Sequence, residues 1–216
     1  MKLLNSFGPN PRLVRMFMAE KGITLPSEDL DLLGGANRQA PYLSKNPAGQ
    51  TPALELDDGT VIAETVTICE YLEEKHPTPA LVGTTAEQRA ETRMWVRRVE
   101  LNITEYMYNG FRFAEGIEIF RDRMLCLPEA AAGLKAKGKA GREWLNGLMA
   151  GRDFIAGNRF SLADIVFFAC VDFAKGVGQP LEPEFANLTA WYARVAARPS
   201  AQSSLHPAAP QLKMAG

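Results

Sequence analysis

Apolar residues in the first 80 positions recur with two different periods. Short apolar runs such as Leu3-Leu4 are typical of strands, whereas apolar positions three and four residues apart are typical of helices. The pattern predicts strands at 2–5 and 28–32 and helices at 12–21 and 65–75. Strands that alternate with helices and then form a hairpin predict an α/β domain, a small mixed sheet covered by helices.

Strand patterns end near residue 80. His76-Pro77-Thr78-Pro79 predicts a break in the chain, since the residue before a proline is biased away from helical conformation. Beyond this break, a set of apolar residues recurs every four positions: Trp95, Val99, Ile103, Met107 and Phe111. That repeat predicts one long helix from about Glu87 to Phe120 and an all-α bundle. We therefore divide the chain into an α/β domain at 1–79, a linker at 80–88 and a helical domain at 89–216.

A candidate binding site lies in residues 46–65. Thr51-Pro52 opens a strand, because a proline there cannot donate to a sheet ladder. Asp58-Gly59 predicts a two-residue hairpin loop in which both residues have φ > 0. Glu64-Thr65 lies where the second strand becomes a helix, and the free N–H groups of a helix start bind anions. These N–H groups can bind a ligand carboxylate, and Glu64 can bind a ligand ammonium. The segment therefore predicts a site for a small zwitterion.

Charge and composition argue against several functional classes. The 216 residues carry a formal net charge of −1 with acids and bases interspersed, which predicts no nucleic-acid partner. The longest apolar run, at 165–171, is far too short to cross a membrane. Cys69, Cys126 and Cys170 are scattered among apolar neighbours, which favours free buried thiols over a disulfide framework or a metal site. These features predict a soluble cytoplasmic protein without a bound metal.

Two further segments concern structure. Ser161-Leu162-Ala163-Asp164 predicts a capping box at a helix start, and no histidine accompanies Ser161 to support a catalytic role. The tail at 201–216 contains two prolines and few apolar anchors. It is predicted either to be loosely ordered or to fold over the site.

The segment around Thr51-Pro52 and Glu64-Thr65 closely resembles the glutathione-binding half of the cytosolic glutathione transferases. Residues 1–23 are similar to the first strand, active-site loop and first helix of that family, and residues 154–165 and 191–199 are similar to its late helices. The resemblance implies a thioredoxin-like first domain, an all-α second domain, glutathione as co-substrate and a homodimer. By the same resemblance, Gln50, Thr51, Pro52, Glu64 and Thr65 contact glutathione. Arg38 is implied as the donor to its glycyl carboxylate.

The loop before the first helix departs from the usual pattern of the family. Phe7, Gly8 and Pro9 occupy positions where family members carry a serine or cysteine that activates the thiol. Ser6 and Asn10 are the candidate catalytic residues, although Ser6 is equally suited to a turn and Asn10 to a helix cap. The loop most resembles an atypical subgroup that lacks a Tyr, Ser or Cys activator, in which amides at the helix start are thought to stabilise the thiolate.

The resemblance places the pocket for the second substrate between this loop and the long helix. Phe7 is a candidate for its near wall, and Tyr106, Asn109 and Phe113 share one helix face by their spacing. The implied activity is attack of the glutathione thiolate on small hydrophobic electrophiles. Two alternatives stay open: a glutathione-dependent disulfide or peroxide reductase, and a non-catalytic binding or scaffold protein with the same fold.

Overall fold

Four short strands form one mixed sheet in the order β2-β1-β3-β4. The computed structural model describes residues 1–209. The strands are β1 Lys2–Asn5, β2 Ser27–Asp29, β3 Ala53–Glu55 and β4 Val61–Ile62. β1 runs parallel to β2 and antiparallel to β3, and β3 and β4 are antiparallel neighbours. This mixed sheet with its helices confirms the thioredoxin-like first domain.

The predictions for one strand and for the hairpin loop need correction. β2 lies at 27–29 and not at 28–32, because the chain turns at Asp31, whose carboxylate accepts the N–H of Gly34 at 2.8 Å. The hairpin loop is longer than two residues, since the Leu56 N–H donates to Thr60 O at 2.8 Å. Gly59 has φ 86° whereas Asp58 does not enter the positive-φ region. The loop is therefore a turn followed by one left-handed glycine.

Three helices accompany the sheet. They are α1 Pro9–Lys21, α2 Ala40–Leu43 and α3 Thr65–Lys75, with a short 3-10 segment at Ala36–Arg38. The α3 bounds confirm the prediction, whereas α1 begins three residues earlier than predicted. Proline at the first helical positions costs no hydrogen bond, so Pro9 and Pro11 both fit within the first turn.

The remainder of the described chain is mainly helical, as predicted. Its helices are α4 Ala86–Val99, α5 Glu105–Arg112, α6 Ile117–Phe120, α7 Ala131–Leu148, α8 Leu162–Gly176, α9 Ala186–Ala196 and α10 Pro199–Ser203. None of the helices that can be described is both long and apolar enough to span a bilayer.

The predicted helix from Glu87 to Phe120 is not one regular α-helix. A π-helical segment, Glu100–Thr104, joins α4 to α5, and the helix ends at Arg112. Each residue of a straight α-helix advances by about 100°, so Phe111, 16 residues after Trp95, would point about 160° away from the direction of Trp95. The extra residue of a π segment removes about 100° of that rotation. The segment thus explains how a repeat of four keeps all five of its apolar residues buried.

A buried ion pair secures the segment between α3 and α4. The Lys21 ammonium donates to the Glu73 carboxylate at 2.5 Å and to Pro79 O at 2.6 Å. The second carboxylate oxygen of Glu73 accepts the N–H groups of Leu81 and Val82, each at 2.9 Å. One carboxylate therefore joins α1, α3 and the chain that leads to α4.

A second buried pair joins α1 to the helical part. The Arg12 guanidinium forms an ion pair with Asp172 of α8 and donates to Ala201 O at 2.9 Å. Arg15 of α1 donates to Ser204 O at 2.9 Å. Residues 201–209 thus pack against α1 and do not cover the site, which corrects that part of the tail prediction. Residues 210–216 lie outside the described part of the chain.

The capping prediction at Ser161 is confirmed. Asp164 accepts the N–H and the hydroxyl of Ser161 at 2.9 and 3.0 Å, and its other oxygen accepts Ile155 N–H and Trp191 Nε1–H at 2.9 Å each. Burial raises the pKa of Asp164, and these four bonds oppose that rise. Ser161 therefore has a structural role.

Candidate functional site

A cavity of about 370 Å³ lies between the α/β part and the helical part. The α/β wall consists of Phe7–Pro11, Leu32, Leu33, Asn37, Arg38 and Ala48–Thr51. The helical wall consists of Tyr108, Phe111, Arg112, Ile119, Phe120, Arg123, Met124 and Phe173. The first wall is rich in backbone polar groups and the second is largely aromatic, so the cavity suits a polar ligand beside an apolar one.

The start of α1 is part of the α/β wall of the cavity. Gly8 precedes the helix with φ 111°, a conformation that favours glycine. Among the first three helical positions, only Asn10 carries a backbone N–H, because Pro9 and Pro11 have none. No side chain caps this helix start, and the Arg12 N–H is already bonded to Gly8 O at 3.1 Å. Asn10 therefore presents a single first-turn amide at the positive end of the helix dipole.

Buried polar side chains hold the loop that leads to Thr51. Asn37 donates to Gly49 O at 2.6 Å, and Asn46 donates to Gln50 O at 2.8 Å. Tyr42 donates its hydroxyl to the same carbonyl of Gln50. The Thr51-Pro52 peptide bond is cis. These side chains preorganise the backbone at Thr51, and sequence reasoning assigned none of them this role.

Ser6 lies beneath the cavity and not on its wall. Its side chain is only 1% exposed, and its hydroxyl hydrogen-bonds to Thr51 Oγ1 at 2.6 Å and to Phe7 O at 3.1 Å. Arg15 also donates to Ser6 O at 2.8 Å. This geometry gives Ser6 a positioning role toward Thr51, whereas Asn10 lines the cavity directly.

Glu64 and Thr65 lie beside Thr51 but outside the cavity wall. Extending the β3–β4 register by two residues places Pro52 opposite Glu64. Glu64 is exposed, and it is the described non-glycine residue with positive φ, at φ 67° and ψ 123°. Such conformations concentrate at functional sites. No side chain caps the helix that begins at Thr65, so the N–H groups of its first turn have no side-chain acceptor.

A second carboxylate adds to the negative charge near Glu64. Burial raises the pKa of Glu100, Arg97 opposes this through a hydrogen bond, and the charges of Glu105 and Glu64 raise it further. The site is therefore negative at the Glu64 end, while the charged residues that line the cavity are arginines.

Gln50 and Arg38 both line the cavity and are both exposed. Arg38 donates to Ala48 O at 3.3 Å, so most of its N–H groups are available to a ligand. The structure thus brings Arg38, Gln50, Thr51 and Asn10 together on one wall.

The helix face predicted for the pocket does not lie on this cavity. Tyr106, Asn109 and Phe113 do not line the cavity, and the next stripe of α5, which includes Tyr108, Phe111 and Arg112, does. The Tyr106 ring instead lies under the Lys137 ammonium at 4.7 Å, and Asn109 bonds to Glu105 and Arg112. Spacing identifies residues that share a face, but it does not say which face points to the cavity. Phe7 does line the cavity, as expected.

Within residues 1–209, neither a cysteine thiol nor a group of metal ligands lines the cavity. Cys69 and Cys170 are fully buried, and burial raises the pKa of both thiols, that of Cys170 to about 12. Cys126 is partly exposed, which corrects its expected burial. In residues 1–209, no three His, Cys, Asp or Glu side chains are grouped so as to hold a metal ion.

Two family models match the chain. The model for the glutathione S-transferase N-terminal domain matches residues 7–75, and that for the glutathione S-transferase C-terminal domain matches residues 128–199. Glutathione S-transferase 2 of Saccharomyces cerevisiae is 32% identical over 207 residues, which cover 92% of this chain and 86% of that protein.

Solved structures give the same result. A crystal structure of Gtt2 from Saccharomyces cerevisiae is similar with a TM-score of 0.88 and 31% identity, covering 95% of this chain and all of that one. A glutathione S-transferase domain-containing protein from Marinobacter aquaeolei is similar with a TM-score of 0.87 and 36% identity. That match covers 93% of this chain and 99% of the other.

Proposed function

This chain belongs to the glutathione S-transferase family, and on that premise we propose that it conjugates glutathione to small hydrophobic electrophiles. The observation that carries the proposal is the cavity of about 370 Å³, in which the start of α1 and the Thr51 loop face an aromatic helical wall. A conjugating enzyme needs a polar site for the tripeptide directly beside an apolar site for its reaction partner. Both occur here on opposite walls of one cavity.

The tripeptide is held by three sets of groups. The Thr51 backbone pairs with the cysteinyl unit. Asn37, Tyr42 and Asn46 hold the loop before Thr51 in place through hydrogen bonds to its carbonyl groups. The γ-glutamyl ammonium pairs with Glu64, while its carboxylate accepts the N–H groups at the start of α3. Gln50 supports the same end, and Arg38 pairs with the glycyl carboxylate.

The thiol is ionised at the start of α1. A cysteine thiol titrates near ~8.5 in water, so few molecules are thiolates at neutral pH. The Asn10 N–H and the dipole of a 13-residue helix stabilise negative charge at this point. The Ser6 hydroxyl acts through Thr51 and not on the sulfur, because its bond to Thr51 Oγ1 holds it below the wall.

The thiolate then attacks the electrophile on the aromatic wall. Its sulfur forms a bond to the electrophilic carbon, and either a leaving group departs with its electron pair or an activated double bond takes up a proton. Phe111, Phe120 and Phe173 line the space opposite Asn10 and keep the reacting carbon away from bulk water. Dimerisation remains a prediction from family resemblance, and cytoplasmic localisation remains a prediction from composition.

Calorimetric titration with glutathione, followed by conjugation of 1-chloro-2,4-dinitrobenzene, tests this proposal. We expect saturable binding and a rate above the uncatalysed reaction. Glu64→Gln should weaken glutathione affinity by about 10-fold or more, because a charge-assisted bond to the ammonium is lost. Glu74→Gln makes the same charge change at an exposed position of α3 away from the cavity and should leave affinity unchanged. Absence of both binding and conjugation would support the non-catalytic alternative instead.

A further inference from the structure

Positive charge lines the cavity without any acid to neutralise it. The charged lining residues in the described chain are Arg38, Arg112 and Arg123, and no aspartate or glutamate lines the cavity. Some arginines outside the cavity do pair with acids, such as Arg12 with Asp172 and Arg142 with Glu182 at 2.6 Å. The three cavity arginines are therefore charged groups without a carboxylate at the site.

Each of these guanidinium groups donates to a neutral oxygen and keeps further donors free. Arg112 donates to Asn109 Oδ1 at 3.0 Å, and Arg123 donates to Leu32 O at 2.7 Å. A guanidinium has five N–H donors in a planar fork that matches a carboxylate. One neutral bond leaves most of that fork available.

Aromatic rings fix the Arg112 head group inside the helical wall. Its guanidinium carbon lies 5.7 Å from the ring centroids of both Tyr108 and Phe120. The backbone N–H of Arg123 donates to Phe120 O at 2.8 Å, so Arg123 follows that phenylalanine by one turn of the chain. A guanidinium stacked on rings keeps its edge donors free for an anion, in contrast to one paired with an acid.

We propose that the electrophile taken by this cavity is an aromatic compound that carries a carboxylate. This rests on the proposed function, which assigns Arg38 to the glycyl carboxylate and leaves Arg112 and Arg123 for the second substrate. The apolar ring of the electrophile packs against Phe111, Phe120 and Phe173, and its anionic group pairs with the two arginines. The cavity thereby selects an acidic aromatic electrophile over a neutral one.

Matched electrophiles test the charge preference. The reagents are 4-chloro-3,5-dinitrobenzoate and 4-chloro-3,5-dinitrobenzamide. In both reactions the glutathione sulfur forms a bond to the ring carbon, the carbon–chlorine bond breaks, and chloride leaves with the electron pair. Each kcat/KM is divided by the uncatalysed rate constant at the same pH and salt. We expect the benzoate to be favoured about 10-fold or more, with a preference that falls as salt rises.

Variants of Arg112 and Arg123 test whether these two residues cause the preference for the benzoate. Arg112→Gln and Arg123→Gln should each lower the ratio of kcat/KM for the benzoate to kcat/KM for the benzamide. Arg121→Gln is the control, because Arg121 is exposed, pairs with Glu118 and does not line the cavity. It should retain the full preference. Equal rates for the two reagents, or an unchanged preference in both Arg112 and Arg123 variants, would overturn the proposal.

A binding measurement separates this inference from the proposed function. The unreactive pair 3,5-dinitrobenzoate and 3,5-dinitrobenzamide is titrated calorimetrically without glutathione. Tighter binding of the benzoate that is lost in Arg112→Gln supports the anion site even if glutathione does not bind. If the Arg112 and Arg123 variants instead lose glutathione affinity and bind the two aromatics as wild type does, these arginines serve the tripeptide and the inference is wrong.

Discussion

The start of α1 leads to a quantitative prediction for the pKa of the bound glutathione thiol. One amide N–H bonded to a charged group contributes about 1.5–3 kcal/mol, and a helix terminus adds about 0.3–1 kcal/mol. Since one pKa unit corresponds to about 1.4 kcal/mol, the two terms together lower the pKa by about 1–3 units. From a solution value near ~8.5, the bound thiol should titrate between about 5.5 and 7.5.

Variants at Asn10 distinguish its backbone from its side chain. Asn10→Ala keeps the N–H and should retain the lowered pKa. Asn10→Pro removes the N–H at a first-turn position, where proline costs no helical hydrogen bond, and should raise the pKa by about 1–2 units. Pro11→Ala adds an amide to the same turn and should leave the pKa equal or lower. Ser6→Ala should also retain most of the shift, because the Ser6 hydroxyl bonds to Thr51.

The assay is the ultraviolet absorbance of bound thiolate, followed from pH 5 to 9. Titration with S-methylglutathione, which has no ionisable thiol, shows that each variant still binds the tripeptide, and circular dichroism shows that it is folded. If Asn10→Ala or Ser6→Ala restores the solution pKa, that side chain is the activator. An unshifted pKa in a folded Asn10→Pro variant would rule out the backbone amide.

Three further predictions concern stability and assembly. Glu73→Ala leaves the buried Lys21 ammonium unpaired and should lower the free energy of unfolding by about 3–5 kcal/mol; urea unfolding measures this, and a double variant with Lys21→Met should recover part of the loss. Burial acts to raise the pKa of Glu20, but hydrogen bonds from Arg198 and a serine outweigh it and hold that pKa below its usual value. The pair is therefore stabilising above the unfolded pKa of about 4.3 and loses this effect as pH falls through the folded pKa. Arg198→Gln should accordingly destabilise at pH 7 and approach wild-type stability in acid, whereas a pH-independent difference would contradict the assignment. Light scattering at micromolar concentration should give the mass of a homodimer, and a monomer mass would refute the family-based expectation.

Local chemistry made part of the fold predictable from sequence. The β1 strand and α3 helix were predicted with correct bounds, because β1 contains a short apolar run and α3 has apolar residues at helical spacing before a clear break. The Ser161–Asp164 cap was predicted because its two partners are three residues apart. By contrast, the bonds from Asn37, Tyr42 and Asn46 to the Thr51 loop depend on how α2 packs, which no pattern within the loop encodes.

The helical wall of the cavity could not be derived from spacing alone. A repeat of four residues predicted one regular helix, whereas the π segment at Glu100–Thr104 interrupts it and the five apolar residues of the repeat still lie buried. Spacing shows that Tyr106, Asn109 and Phe113 share a face of α5, but the face toward the cavity depends on how α5 is rotated relative to the α/β part. The stripe that includes Tyr108 and Phe111 is the one that lines the cavity.

The charge of the cavity could not be derived from composition either. A net charge of −1 with interspersed acids and bases describes a nearly neutral chain. Folding nevertheless pairs some arginines with acids and leaves other arginines without an acidic partner. Arg142 lies opposite Glu182 although 40 residues separate them. Arg112 has three acids within seven residues, Glu105, Glu115 and Glu118. Asn109 bonds to the first of them, Lys135 pairs with the second and Arg121 pairs with the third. The unneutralised positive charge at the cavity is therefore a consequence of tertiary pairing, and it is the property on which the choice of an anionic electrophile depends.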